Sequence, residues 1–300
     1  MKKLWIRLKY KEVVPFILVW VLMYKFIERS DLIEVIERSL PSREAGLMSG
    51  MVWGEKGGIK GDLYKSLINT GLVHIVVVSG ANLMIVGKSL IENLAKFVGR
   101  KTAIIGGGGL ILTYVNLVGW QIPVIRAVLF LGIYYWAQIL GRRFKIGRAI
   151  FLVGLVMILA DFGVLGDVSF WLSMVAFVAV VLNQDAGVFR NTVWVSLFVL
   201  PILSISFGTI SLLTPITNFG ALFLVEILTI IGFIGSLIGL LWQGLGGVVL
   251  ATSYPLLRYL IEIVERAGSL GGVLNFQFNW WMLAGWYLVL GTYWYEKKKI

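Results

Sequence analysis

Cysteine is absent from the 300 residues, and histidine occurs once, as His74. The first absence removes disulfides and thiolate metal sites, and the second makes a multi-histidine site impossible, so no metal or other cofactor is expected. Charge is scarce too: Asp, Glu, Lys and Arg make up 14% of the chain against 58% hydrophobic residues, and mean hydropathy is +0.87. A water-facing surface needs more charge than that, which excludes a soluble globule and any sizeable soluble domain. Short segments of alternating hydrophobicity, the mark of a transmembrane β-barrel, are missing as well. The apolar runs are long and unbroken, so the expected fold class is an all-α polytopic membrane protein.

At about 20 apolar residues per crossing, the chain has room for roughly eight to eleven spans. Residues 1–11 carry Lys2, Lys3, Arg7, Lys9 and Lys11 ahead of an apolar run over 13–27. Residues 1–27 therefore read as a basic cytoplasmic tail and a retained first span, because no small-residue cleavage site follows. Residues 28–69 read as a short extracytoplasmic segment of mixed charge, in which 40–53 is amphipathic enough to lie on or dip into the membrane surface. Residues 70–300 form the main membrane domain. Sixteen Lys and Arg fall on segments read as inside against eight outside, and about ten crossings with both termini cytoplasmic satisfy that distribution. The net charge of +11 fits an anionic partner or simply cationic cytoplasmic loops.

Polar groups concentrate in residues 69–93, NTGLVHIVVVSGANLMIVGKSLIEN. Wound as one helix at roughly 100° per residue, Thr70, His74, Ser79, Asn82, Lys88, Ser89, Glu92 and Asn93 share about half the circumference. Such groups at membrane depth must face protein or water. They belong either to a packed helix with a Lys88 to Glu92 pair or to one wall of a wet passage. Arg126, in a span expected over 122–140, is open to a similar pair of readings, pathway cation or snorkelling anchor. Ser79 near His74 raises an intramembrane serine protease, but on a continuous helix the two side chains point about 140° apart and no second histidine exists. No catalytic residue and no enzymatic activity are expected. The glycines 106–109 suit close helix packing or a kink, since no Lys-Ser/Thr follows them to make a phosphate loop. Asp161, Phe162 and Gly163 spell a kinase triplet without its companions and carry no kinase reading.

Thr70, Gly71, Leu72, His74, Ser79 and Gly80 spell T-G-L-x-H, four apolar positions, then S-G. This resembles the signature TGLxHLxAISGxH of the competence-protein family of DNA-uptake channels (ComEC), with Asn82 where the family has a second histidine. Three further clusters are similar to the family in the same order. Pro123, Arg126 and Ala127 match PxxRA; Asp161, Leu165, Asp167, Phe170, Leu172 and Ser173 match a stretch in which Phe162 replaces a proline; Pro215, Asn218, Ala221 and Glu226 match a fourth, with Leu224 where a second proline often stands. The lead-in SLPSREAGLMSGMVWGE also resembles the family's, ending in Gly54 and Glu55.

The resemblance implies a multi-pass protein of the cytoplasmic (inner) membrane that brings transforming single-stranded DNA into the cytoplasm. Its partners would be single-stranded DNA, the bilayer, a separate nuclease and a cytoplasmic motor. His74, Ser79, Asn82, Lys88 and Arg126 are then the candidate DNA-path residues, supplying cations and donors for phosphates. Gly71, Gly80, Pro123, Asp161, Asp167, Pro215, Asn218 and Glu226 are expected to be structural. Larger members add an oligonucleotide-binding-like domain and a metallo-β-lactamase-like nuclease. Neither is expected here, because residues 28–64 are too few for a barrel and such a nuclease needs several histidines. The residues taken alone also allow a small-molecule or lipid-linked permease, for which an inverted repeat would be the sign.

Overall fold

The computed structural model describes residues 27–72, 80–183, 187–211, 213–270 and 273–297. His74, Ser79 and nearly all of the expected first span lie outside the described residues. In chain order the helices begin with α1 (Arg29–Ser39), α2 (Ser42–Trp53), α3 (Gly61–Asn69), α4 (Gly80–Val98), α5 (Arg100–Val118), α6 (Ile122–Ile139) and α7 (Ile146–Ala160). A 3-10 turn (Phe162–Gly166) follows, then α8 (Val168–Leu182), α9 (Val188–Phe207), strand β1 (Thr209–Ser211), α10 (Thr214–Leu241), α11 (Gln243–Ala251), α12 (Tyr254–Ser269), strand β2 (Val273–Asn275) and α13 (Trp280–Lys297). The all-α expectation holds apart from the two three-residue strands.

Four stretches among the described residues are long and apolar enough to cross a membrane: Arg100–Val118, Ile122–Ile139, Arg190–Phe207 and Phe223–Leu241. A fifth is added if α11 and α12, bent by 43° at their junction, count as one broken span. Helices α7 and α8 are apolar but only 15 residues long. On α7, Phe151 and Leu159 are 68% and 66% exposed, a display of hydrocarbon that water does not tolerate over a whole helix face and lipid does. The chain is a multi-pass membrane protein.

Two compact units divide the chain, one made of Met1–Lys60, His74–Phe144 and Leu224–Ile261, the other of Gly61–Val73, Lys145–Phe223 and Glu262–Ile300. In the first, α1 starts at a reciprocal capping box between Glu28 and Asp31, which satisfies two of the helix's orphan N–H groups. Of the two placements expected for α2, lying on the membrane surface does not fit, because every residue from Glu44 to Trp53 is buried. Small residues permit this, since Gly46 meets the backbone of Gly58 where any Cβ would collide. The glycines 106–109 lie within the unbroken α5, and there Gly107 admits Ile91 so closely that a Cβ would sit 2.5 Å from its Cγ1. Packing, one of the two expected roles, accounts for Gly107, whereas Gly108 meets no neighbour within 4 Å. The chain turns at Trp242, and α11 folds back on α10 with Gly246 against Gly239.

In the second unit α8 and α9 pack along their length and α13 packs on α9. Pro201 does not interrupt α9, which runs on to Phe207. Strands β1 and β2 pair antiparallel, Ile210 opposite Leu274. Ser204 ties the same region down, its hydroxyl donating to the Phe276 carbonyl and accepting from the Phe278 N–H at 3.2 Å.

The signature stretch is not one helix. Helix α3 ends at Asn69, and Gly71 takes a φ of 72°, a left-handed conformation that costs an L-residue about 1–2 kcal/mol and glycine little. The Gly71 N–H donates to the Ile68 carbonyl at 2.9 Å and the Leu72 N–H to the Leu67 carbonyl at 2.8 Å. This is the paired closure of a Schellman motif, completed by the buried side chains of Leu67 and Leu72. The polar face drawn from Thr70 to Asn93 is therefore interrupted at its start, because the T-G that opens the motif stops a helix, while residues 73–79 lie outside the described residues.

Candidate functional site

The buried helix α2 is the spine of the first unit, and its C-terminal end organises what surrounds it. The last carbonyls of a helix have no intrahelical donor and carry partial negative charge. Two side chains from other helices satisfy two of them: Asn82 Nδ2 on α4 donates to the Met51 carbonyl at 2.9 Å, and Tyr114 Oη on α5 donates to that of Val52 at 2.6 Å. Asn82 is 1% exposed and Tyr114 3%, so in this setting each bond replaces a buried, unmet acceptor. Trp53, Tyr114 and Phe233 of α10 complete the joint as a ring trio with centroids 5.3 to 5.8 Å apart. Sequence reading missed Tyr114 and Phe233, whose signal was no more than aromatic residues inside spans.

Helix α6 joins the same group at Gly80, the first residue of α4. A Cβ there would stand 2.8 Å from the Pro123 carbonyl oxygen and 3.4 Å from the Ala127 Cβ. Pro123 occupies the first turn of α6, where its missing N–H costs nothing. Arg126 lies one turn further on and is 5% exposed. Lys88, by contrast, is exposed, with its ammonium 4.0 Å from Glu92 in the expected i,i+4 arrangement. Glu226 is exposed on α10, inside the span Phe223–Leu241. Gly80, Asn82, Lys88, Pro123, Arg126 and Glu226 thus fall in one unit. Two crevices there, of about 210 and 70 Å³, are lined largely by apolar side chains such as Val86, Leu90 and Phe233 and not by Asn82, Lys88 or Arg126.

Charges brace the entrance to α2. Glu44, 2% exposed in its first turn, takes a partner in Arg258, 3.6 Å away, and a carboxylate there also opposes the positive end of the helix. At the other end Gly54 closes α2 in a left-handed conformation. Glu55 accepts from the Gly57 N–H at 2.9 Å and pairs with Arg29 at 3.0 Å. The glycine and acid of the lead-in are therefore a helix stop and the clasp of the turn after it.

The remaining motif residues lie in the second unit. A Cβ on Gly71 would meet Thr214 Oγ1 at 2.5 Å, and the Thr70 carbonyl accepts from Thr217 Oγ1 at 3.0 Å. The opening of the signature is therefore docked on the first turn of α10, which also contains Pro215. Asn218 follows one turn on, its Oδ1 buried without a hydrogen-bond partner among the described residues. Asp161 and Asp167 are caps: Asp161 Oδ1 accepts from Gly163 N–H at 2.8 Å to start the 3-10 turn, and Asp167 Oδ1 from Phe170 N–H at 2.9 Å to start α8.

Among the described residues no cluster of three or more His, Cys, Asp or Glu has the geometry of a metal site. No curated protein and no solved structure matches the chain. The family model described as "Competence protein" does match, over residues 51–299. That match spans the buried joint at α2, the Gly80 contact with α6 and the two aspartate caps, and with it the chain belongs to the competence-protein family.

Proposed function

We propose that this chain is the membrane channel through which transforming single-stranded DNA enters the cytoplasm. The reading rests on the family match over residues 51–299. In it the chain crosses the inner membrane about ten times with both termini in the cytoplasm, and α7, α8 and α13 are counted as crossings. Lys88 and Arg126, with His74 and Ser79, provide the polar side of the path, and Asn82 braces its wall by holding α4 to α2. Arg126 acts from within that wall: at an effective dielectric of ~20, a guanidinium attracts a phosphate ~8 Å away by about 2 kcal/mol. That draws a strand without trapping it. The chain itself carries out no catalytic step; a separate nuclease supplies the single strand and a cytoplasmic motor pulls it.

The test is a deletion strain given labelled duplex DNA. Label accumulating outside the membrane in nuclease-resistant form, restored to the cytoplasm by the wild-type chain and not by Arg126→Glu, supports the channel. Normal entry of label in the deletion strain removes it and returns the permease reading.

A further inference from the structure

One groove in the second unit has a graded chemistry that DNA passage does not use. It lies between α9 and α13, opens to the surface, and has a volume of about 400 Å³. Arg190, exposed in the first turn of α9, stands at one end. No carboxylate among the described residues pairs with its guanidinium. Next come Trp194 and Tyr293, ring centroids 5.5 Å apart. Neither the indole N–H nor the phenol hydroxyl of this pair has a protein hydrogen-bond partner among the described residues, whereas the neighbouring Trp286 and Tyr287 donate to the Leu197 and Phe198 carbonyls. Val193 lies beside the rings, and beyond them the groove is hydrocarbon: Leu197 on one side, Val289 and Leu290 on the other.

The order cation, amphipathic ring, aliphatic wall is the order of a membrane leaflet from phosphate to acyl chain. The length agrees: Arg190 to Leu197 rises about 10 Å at ~1.5 Å per residue, within the ~15 Å of one hydrocarbon leaflet. The geometry points to a bound anionic glycerophospholipid, its phosphate on Arg190, its glycerol region hydrogen-bonded by Trp194 and Tyr293, and one acyl chain laid along Leu197 and Leu290. The same cation and rings would suit a nucleic-acid strand at the rings alone. The aliphatic half of the groove, with Leu290 only 8% exposed at its floor, has no use for a strand, and it decides for lipid. Shape and charge then make this a specific seat, distinct from the general annulus of lipid around any span.

The whole chain, purified in detergent and stripped of lipid, is titrated with phosphatidylglycerol and followed by native mass spectrometry. Wild type should hold one lipid per chain at concentrations where further additions are still sparse. Arg190→Gln should lower that occupancy by roughly fivefold or more, equivalent to about 1 kcal/mol, Arg190→Lys should restore much of it, and Val193→Trp should fill the groove and abolish it. Arg142→Gln, on an exposed loop, should leave it unchanged. Size-exclusion profiles matching wild type exclude misfolding as the cause. Equal occupancy in Arg190→Gln and wild type, or equal loss in Arg142→Gln, overturns the seat. So does displacement of the lipid by inorganic phosphate, or an oligo-dT that binds through Arg190 and Trp194 while lipid occupancy ignores both.

Discussion

Replacing Gly71 with alanine tests how the opening of the signature is held. Two costs meet at that position. The backbone sits at φ 72°, which adds about 1–2 kcal/mol for any L-residue. The new Cβ would also press on Thr214 at 2.5 Å from Oγ1, 3.0 Å from Cγ2 and 3.3 Å from Cβ, an overpacking of about 1–3 kcal/mol. Gly71→Ala alone should therefore lose ~2–5 kcal/mol by the two terms together. Thr214→Ala takes away Oγ1 and Cγ2, the two nearest atoms, and leaves only the 3.3 Å neighbour. In that background Gly71→Ala should cost only the backbone term, about 1–2 kcal/mol. The quantity to measure is the coupling across the cycle, from equilibrium unfolding of the four proteins in mixed micelles with rising dodecyl sulfate, read by far-ultraviolet circular dichroism. A coupling of ~1–3 kcal/mol is expected. One within ~0.5 kcal/mol of zero would refute the docking of the Gly71 turn on α10, whatever the single substitution did.

Tyr114→Phe leaves the Val52 carbonyl without its donor and should destabilise the protein by about 1–2 kcal/mol in the same unfolding experiment. An effect below that of an exposed control, Tyr295→Phe, would remove the joint. Asp167→Ala should cost about 1 kcal/mol by loss of the α8 cap and Asp167→Asn only a few tenths; equal losses would mean that charge matters there and capping does not. Cysteine at position 88 should react with a small aqueous thiol reagent and cysteine at the 1% exposed position 82 should not. If position 82 reacts as fast, α4 is not held on α2. Arg126→Glu should abolish transformation at unchanged membrane abundance, and unchanged transformation would take Arg126 out of the path.

What could be read from the sequence follows from how locally each feature is determined. Helical membrane class, the span expected over 122–140 (Ile122–Ile139 in the structure) and the Lys88 to Glu92 pair depend on composition and near-neighbour spacing, and they agree with the structure. Gly71 was misread because T-G within an apolar run looks like more helix. The stop is closed locally, by the Gly71 and Leu72 N–H groups on the carbonyls of Ile68 and Leu67, and the apolar run conceals it; the Thr214 and Thr217 contacts, far along the chain, then hold the turn in place. Burial of α2 was hidden for a related reason: Arg43 and Glu44 give it an amphipathic face, and the partner of Glu44 is Arg258. Its Ser, Gly and Ala content, read with hindsight, is a packing signal. Asn82 was picked out correctly as a polar residue that needs a partner. That the partner is a helix-end carbonyl depends on where α2 stops, which Gly54 determines.

The residues that carry the family resemblance turn out to be mainly of one kind. Gly71 and Gly80 permit close approaches, Pro123 opens a helix, and Asp161 and Asp167 cap two more, while Asn82, standing where the family has a histidine, ties a loose carbonyl. Each fixes where a helix begins, ends or touches its neighbour, and none of those roles requires contact with a passing strand. Loss of transformation on changing one of them is therefore expected from altered geometry alone. Chemistry toward DNA has to be sought where a charge has no comparable task in the scaffold. Lys88 qualifies by its exposure, since its contact with Glu92 at 4.0 Å is a surface pair worth well under 1 kcal/mol and yields readily to a phosphate. Lys88→Gln with Glu92→Gln removes the pair and leaves the fold, so a fall in DNA uptake in that double variant, at normal unfolding stability, would place the strand beside α4. Normal uptake there would leave α4 as wall only.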